Sequence, residues 1–244
     1  MKDENSPAKP GTLYGIGVGP GDPELITVKA LRIIAACDLV VFPEPEEAGT
    51  RHLAFEIARR AMPELEKREF MGLYLPMTRD AAVMRVNQEK AAQRIMEQLR
   101  EGKNLAFLTL GDPSVYSTSG YLHRLVEEGG FSVRIIPGVT SFCAAAAALG
   151  EDLVRGSEAL HLIPASGDTA EAMGLAGTRV FMKMGRSLGE IRALVEERGL
   201  GSRTRIVENC GLENQRIWKS LEELPPGEAP GYFTLIIVKD GERS

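Results

Sequence analysis

Cysteine is scarce in this chain. Cys37, Cys143 and Cys210 are its only three, an odd number with no C-x-x-C spacing, so no disulfide framework is expected and a reducing compartment is. Histidine is equally sparse. His52, His123 and His161 share no metal-ligand spacing, and no protein-bound metal is expected. Long apolar runs are missing: none approaches the roughly 20 residues that span a bilayer. The polar opening, Met1 to Pro10, has no signal-peptide pattern and reads as a disordered tail. A cytoplasmic protein without a membrane partner is therefore expected. Basic clusters are missing too. With 29 Lys and Arg against 34 Asp and Glu, the net charge of −5 argues against nucleic-acid binding through phosphates. No G-x-x-x-x-G-K-[ST] phosphate loop occurs.

What the chain does have is enough apolar residue, 43%, to build a sizeable core over 244 residues, the length of one large domain or two of about 120. The organising stretch is Leu105 to Leu125. Leu105 to Thr109 is a short apolar strand, and Gly111, Asp112 and Pro113 stop it. Ser117, Thr118 and Ser119 then offer caps to a helix with Tyr121, Leu122 and Leu125 on one face. Five hydroxyl side chains, Ser114, Tyr116, Ser117, Thr118 and Ser119, crowd this joint, and no Lys or Arg lies between Lys103 and Arg124. In open α/β sheets ligands bind outside the carboxyl ends of strands, so a polar but not strongly anionic ligand is expected here. A capped turn without a ligand has the same pattern.

The rest alternates. A Gly-laced strand, Leu13 to Val18, leads through Gly19, Pro20 and Gly21 to Asp22, a helix cap, with the helix predicted to reach about Ala36 and to carry Leu25, Val28, Leu31 and Ile34 or Ala35 on one face. These glycines do not match the dinucleotide fingerprint. A strand at Leu39 to Phe42, a helix at Thr50 to Met62, strand character at Arg68 to Leu75 and an amphipathic helix at Ala81 to Arg100 follow. Phe131 to Ile136 is a strand, and Thr140 or Ser141 caps an alanine helix in which Cys143 is expected to be a small buried hydrophobe. This alternation predicts a mostly parallel sheet. Beyond Gly150, strands are predicted at Leu160 to Ile163, Val180 to Met184, Thr204 to Glu208 and Tyr232 to Val238. Helices are predicted at Ser187 to Arg198 and Thr169 to Met173, and Ile217 to Leu221 is expected to pair antiparallel with the last strand. The expected domains are 11–137, parallel α/β, and 138–244, a mixed sheet.

Three stretches together resemble the tetrapyrrole methylase family of S-adenosylmethionine-dependent enzymes: Gly15 to Leu25 (GIGVGPGDPEL), Leu108 to Thr118 (LTLGDPSVYST) and Pro137 to Phe142 (PGVTSF). Val180 to Gly185 (VFMKMG) and Val207 to Ile217 (VENCGLENQRI) fit the same family's later motifs. Within it, the Y-S-T, T-S-F and M-K positions resemble the enzymes that methylate C20 of precorrin-2 or its cobalt form on the way to vitamin B12.

The resemblance implies two α/β domains with S-adenosylmethionine between them, a trough for the tetrapyrrole, and a homodimer. It places Pro20, Leu110, Gly111, Asp112, Val115, Tyr116, Ser117, Thr118, Thr140 and Ser141 at the methyl donor. Met182, Met184, Asn209, Cys210, Phe233 and Thr234 would form the C-terminal wall. Gly19 and Gly21 would face the trough, and the substrate carboxylates would need cations from among Arg51, Arg79, Arg85, Lys183 and Arg186. Asp22, Asp112 and Tyr116 are the candidate catalytic groups for removing a proton.

Overall fold

The computed structural model describes residues 9–44, 53–76, 78, 80–183, 188–228 and 230–240. The chain parts into two compact units, Met1–Thr140 and Ser141–Ser244.

Unit 1 is a five-stranded parallel sheet in the order β3-β2-β4-β1-β5, with β1 Thr12–Gly17, β2 Leu39–Glu44, β3 Phe70–Tyr74, β4 Leu105–Thr109 and β5 Ser132–Ile136. Helices cover both faces, as a parallel sheet requires. On one, α1 (Val28–Ala36) and α2 (Leu53–Ala61) bury Ala30, Ile34 and Phe55 against Ile16, Phe42 and Leu108. On the other, α3 (Ala81–Arg100) and α4 (Ser119–Glu128) bury Ile95, Leu99, Leu122 and Val126 against Leu13, Val41 and Phe107. From β1 the chain moves to one side of the sheet and from β4 to the other. The carboxyl ends of β1 and β4 therefore flank the topological switch point.

Two local expectations are corrected here. The helix predicted from Asp22 to Ala36 is two pieces. Asp22 caps a 3-10 turn, Pro23–Leu25, and Thr27 offers a second cap, its hydroxyl accepting the Ala30 N–H at 3.1 Å. The restart turns Val28 outward, 83% exposed, and the buried face runs through Ala30 and Ile34. In α4 the inward residues are Leu122, His123 and Val126, while Tyr121 points outward.

Unit 2 is a mixed sheet in the order β6-β7-β10-β8-β9. Its strands are β6 Leu160–Pro164, β7 Thr178–Met182, β8 Thr204–Glu208, β9 Arg216–Trp218 and β10 Thr234–Val238; its helices are α5 Ser141–Leu149, α6 Thr169–Met173 and α7 Leu188–Glu197. β6 and β7 run parallel, and the other pairs are antiparallel. β10 inserts between β7 and β8, with Leu235 opposite Met182 and Ile236 opposite Ile206. Both its edges are then taken, so the segment predicted to pair with it, at β9, pairs with β8 instead. Cys143 is exposed rather than buried, because α5 turns Phe142, Ala144, Ala145 and Ala146 inward.

Candidate functional site

Glycine brings three strand ends of unit 1 into backbone contact. A Cβ at Gly17 would stand 2.5 Å from the Gly111 oxygen and 2.7 Å from the Gly138 nitrogen, and one at Gly138 would strike the same Gly111 oxygen. The loops after β1 and β4 are stitched by a two-residue antiparallel bridge, Gly111 N–H to Gly19 O at 2.8 Å and Gly19 N–H to Gly111 O at 3.3 Å. Gly111 reaches this geometry at φ 69°, where L-residues are strained. Open space lies where its side chain would project.

Asp112 fastens the same joint. Its Oδ2 accepts the Gly138 N–H at 2.9 Å, and its Oδ1 accepts the Ser114 N–H at 2.8 Å together with the Ser114 hydroxyl. Burial alone would raise the Asp112 pKa. The Ser114 and Gly138 hydrogen bonds outweigh it and hold the carboxyl below its ordinary range. A carboxylate so engaged is a weak base and a strong turn staple. Asp22 is likewise a cap, its Oδ1 accepting the Glu24 N–H at 2.9 Å.

Three of the five hydroxyls that crowd this joint, Ser114, Ser117 and Ser119, bond their neighbours. Ser117 Oγ bonds Thr109 Oγ1 at 2.9 Å and Ser119 Oγ at 2.7 Å, Ser119 reaches toward the Pro113 carbonyl, and Ser114 is tied to Asp112. Short hydroxyl side chains compete for nearby backbone and for one another, so they build the turn first. Tyr116, at φ 45° and 44% exposed, and the exposed Thr118 complete the loop. On the side of this loop facing the sheet edge lies an open cavity of 760 Å³, walled by Tyr116 and Ser117, by Tyr121, His123 and Arg124 of α4, and by Ile135 of β5. Gly19, Pro20 and Gly21 are buried, and Thr140 Oγ1 is buried without a hydrogen-bond partner at the end of the unit.

His123 is a feature that spacing alone did not expose. It is 4% exposed, neither ring nitrogen has a hydrogen-bond partner, and burial lowers its pKa to about 4. The signal that accompanies it is Gly15, which leaves room for the imidazole.

In unit 2, β10 carries distant segments to one sheet end. Lys183 follows β7 at φ 62° and Asn209 follows β8 at φ 52°, both left-handed non-glycine residues, and the Asn209 N–H donates to the Phe233 oxygen at 3.0 Å. Strained residues of this kind concentrate where a site imposes its own geometry. Met182, Lys183, Asn209, Cys210, Phe233 and Thr234 are thus neighbours. The Lys183 ammonium lies 5.9 Å from the Tyr232 ring centroid, and burial lowers its pKa. Cys210 is buried and its thiol is pushed up to about 11, which removes it as a nucleophile. Thr234 is 1% exposed, and its hydroxyl donates to the Gly231 oxygen at 2.7 Å. Of the predicted cations, Arg85 is on the solvent side of α3, facing Glu89 at 3.9 Å. Arg51, Arg79, Arg186 and Met184 lie outside the described residues. Among the described residues no cluster of three or more His, Cys, Asp or Glu side chains could hold a metal ion, and no helix is long and apolar enough to cross a membrane.

Residues 12–225 match the family model described as Tetrapyrrole (Corrin/Porphyrin) Methylases. The chain belongs to that family. Among tetrapyrrole methylases it is 30% identical to the cobalt-precorrin-2 C(20)-methyltransferase of Salmonella typhimurium, covering 93% of this chain and 96% of that protein. It is 32% identical to the precorrin-2 C(20)-methyltransferase of a Sinorhizobium species, covering 93% and 95%. The cobalamin biosynthesis protein CobIJ of Mycobacterium tuberculosis is 33% identical over 96% of this chain, which spans only 47% of that protein. Among solved tetrapyrrole methylases, the uroporphyrin-III C-methyltransferase of Thermus thermophilus, complexed with S-adenosylhomocysteine, superposes with a TM-score of 0.69 at 22% identity, covering 94% of this chain and 98% of that one. That likeness shows a common fold.

Proposed function

We propose that this tetrapyrrole methylase transfers a methyl group from S-adenosylmethionine to C20 of precorrin-2 or cobalt-precorrin-2. The observation that carries the reading is the similarity, over nearly their whole length, to two proteins named for that reaction. The residues present fit the donor. Its carboxylate and ammonium call for amides and hydroxyls; open space lies where a side chain at Gly111 would project, and Thr140 keeps a buried hydroxyl without a partner.

S-adenosylmethionine supplies an activated methyl group on a sulfonium. The chain's share of the reaction is then chiefly placement, since holding two reacting centres at attack distance supplies several kcal/mol, up to about 10. In this reading the Gly19–Gly111 bridge and the Asp112 staple hold Leu110 to Thr118 and Thr140 to Ser141 against the donor. Met182, Asn209, Cys210 and Phe233, gathered at one sheet end of unit 2, are further donor contacts in this reading, and Met184 belongs to the same motif. Lys183 meets a substrate carboxylate, its partial burial strengthening the attraction. Tyr116 is the remaining group for the proton at C20, because Asp22 and Asp112 are spent as turn acceptors.

The reading includes a cytoplasmic homodimer, checked by light scattering. Methylation at another macrocycle carbon, or of ribosomal RNA at a 2′-hydroxyl, is the competing reading within the family. Incubation with each substrate and S-adenosylmethionine, followed by mass, tests it: one added methyl is expected with precorrin-2 or its cobalt form, and none with RNA.

A further inference from the structure

The sheet end that gathers Lys183, Asn209 and Phe233 is held from behind by a charge pair. Glu208, the last residue of β8, is 5% exposed. Its Oε2 accepts the Arg216 Nε–H of β9 at 2.6 Å, and its Oε1 accepts the Gly231 N–H. Arg216 is itself shared: its Nη1 donates to Glu228 at 2.6 Å, and its guanidinium lies 4.9 Å from the ring centroid of Trp218. One carboxylate therefore ties β8, β9 and the loop entering β10. The Gly231 carbonyl accepts the Thr234 hydroxyl at 2.7 Å, and Tyr232 and Phe233, 43% and 40% exposed, are fixed edge to face at 5.3 Å.

The register between β8 and β10 is already carried by backbone hydrogen bonds. Burying a charge at this point costs desolvation that only good geometry offsets. What the pair adds is a fixed Gly231–Phe233 segment beside the two left-handed residues. Fixing a wall before its ligand arrives removes an ordering cost from binding.

We propose that Glu208 and Arg216 are positioning residues that pre-form the Tyr232–Phe233 wall of the methyl-donor site. This rests on the donor-site reading above and names what sets its affinity. Neither residue touches the donor; both act through the loop.

The test is calorimetric titration of the full chain and its variants with S-adenosylhomocysteine, with steady-state kinetics alongside. In Glu208→Ala and Arg216→Met the dissociation constant rises about tenfold, and the double variant is no worse than either single one, since the two act as a unit. Glu208→Gln falls between, because its amide oxygen still accepts the Gly231 N–H. KM for the donor follows the same order while kcat at saturating donor changes less than about threefold. The emission of Trp218, the single tryptophan, shifts in Arg216→Met. Should Glu208→Ala not fold, Glu208→Gln and Arg216→Met carry the comparison. Wild-type affinity in the folded variants overturns the proposal and leaves the donor site standing. A wild-type protein that binds no S-adenosylhomocysteine overturns both.

Discussion

The imidazole of His123 occupies the space a side chain at Gly15 would need. A Cβ at residue 15 would overlap the ring's Cε1 and Nε2, and the ring also stands edge-on to Phe107 at 6.3 Å. A helix residue and a strand glycine are thus matched across the sheet face, and the fit leaves an uncharged base inside the core.

Two consequences of that fit can be measured. Gly15→Ala overpacks the interface and costs about 1–3 kcal/mol in urea unfolding; His123→Ala in the same chain recovers part of the loss. An equal or larger loss in the double variant contradicts the match.

The buried imidazole also sets an acid limb. Its folded pKa of about 4 lies below the ordinary 6.5, so the unfolded chain binds the extra proton between those values. The stabilising contribution is complete above pH 6.5 and is lost as pH falls toward 4, by about 3 kcal/mol over the window. Unfolding curves at pH 7 and pH 4.5 should show the wild type losing most of that relative to His123→Leu. Parallel losses in both proteins contradict it.

The glycine joint separates clash from strain. Gly138→Ala drives a methyl into the Gly111 carbonyl and is expected to abolish donor binding and cost several kcal/mol. Gly111→Ala has open space and only the left-handed φ to overcome, about 1–2 kcal/mol. Thermal unfolding should rank Gly138→Ala as the more damaging, and the reverse order would contradict the backbone packing described.

Asp112→Asn tests the staple. The amide offers one oxygen where the carboxylate accepts from both Gly138 and Ser114, so a buried N–H loses its acceptor, at about 1–3 kcal/mol. The lowered folded pKa means this contribution is present above the unfolded carboxylate's pKa and is lost as pH falls through the folded value. A raised donor KM together with lowered stability is expected of a staple; a kcat collapse with stability intact would instead mark a base.

Thiol reactivity tests the helix correction. Burial raises Cys37 to about 12 and Cys210 to about 11, while Cys143 is exposed on α5. A thiol reagent at neutral pH should label one cysteine quickly in the folded protein, at position 143, and all three in denaturant.

Local signals carried most of the architecture. Helix α3 was legible to the residue, Ala81 to Arg100, because its apolar spacing is regular, and Asp80 accepts the Ala82 and Val83 N–H groups at its start. β4 stood out as an uninterrupted apolar run with turn residues after it. Thr27 was a different matter: a cap inside an apparently continuous helix competes with the helix, and only the packing of Ala30 and Ile34 decides where it restarts. The insertion of β10 between β7 and β8 is a long-range pairing that alternation cannot rank. At the joint after β4, Gly111, Asp112 and Pro113 are legible as turn formers, while the bonds of Ser117 to Thr109 and Ser119 depend on how the turn closes and leave no mark in the spacing. Glu208 and Arg216 lie eight residues apart, and only the sheet brings them into contact.

The central claim is the position of the transferred methyl. Labelled S-adenosylmethionine incubated with the protein and precorrin-2 or cobalt-precorrin-2, followed by carbon NMR of the product, should place a single labelled methyl at C20. A label at any other ring carbon, or none in either product, contradicts it.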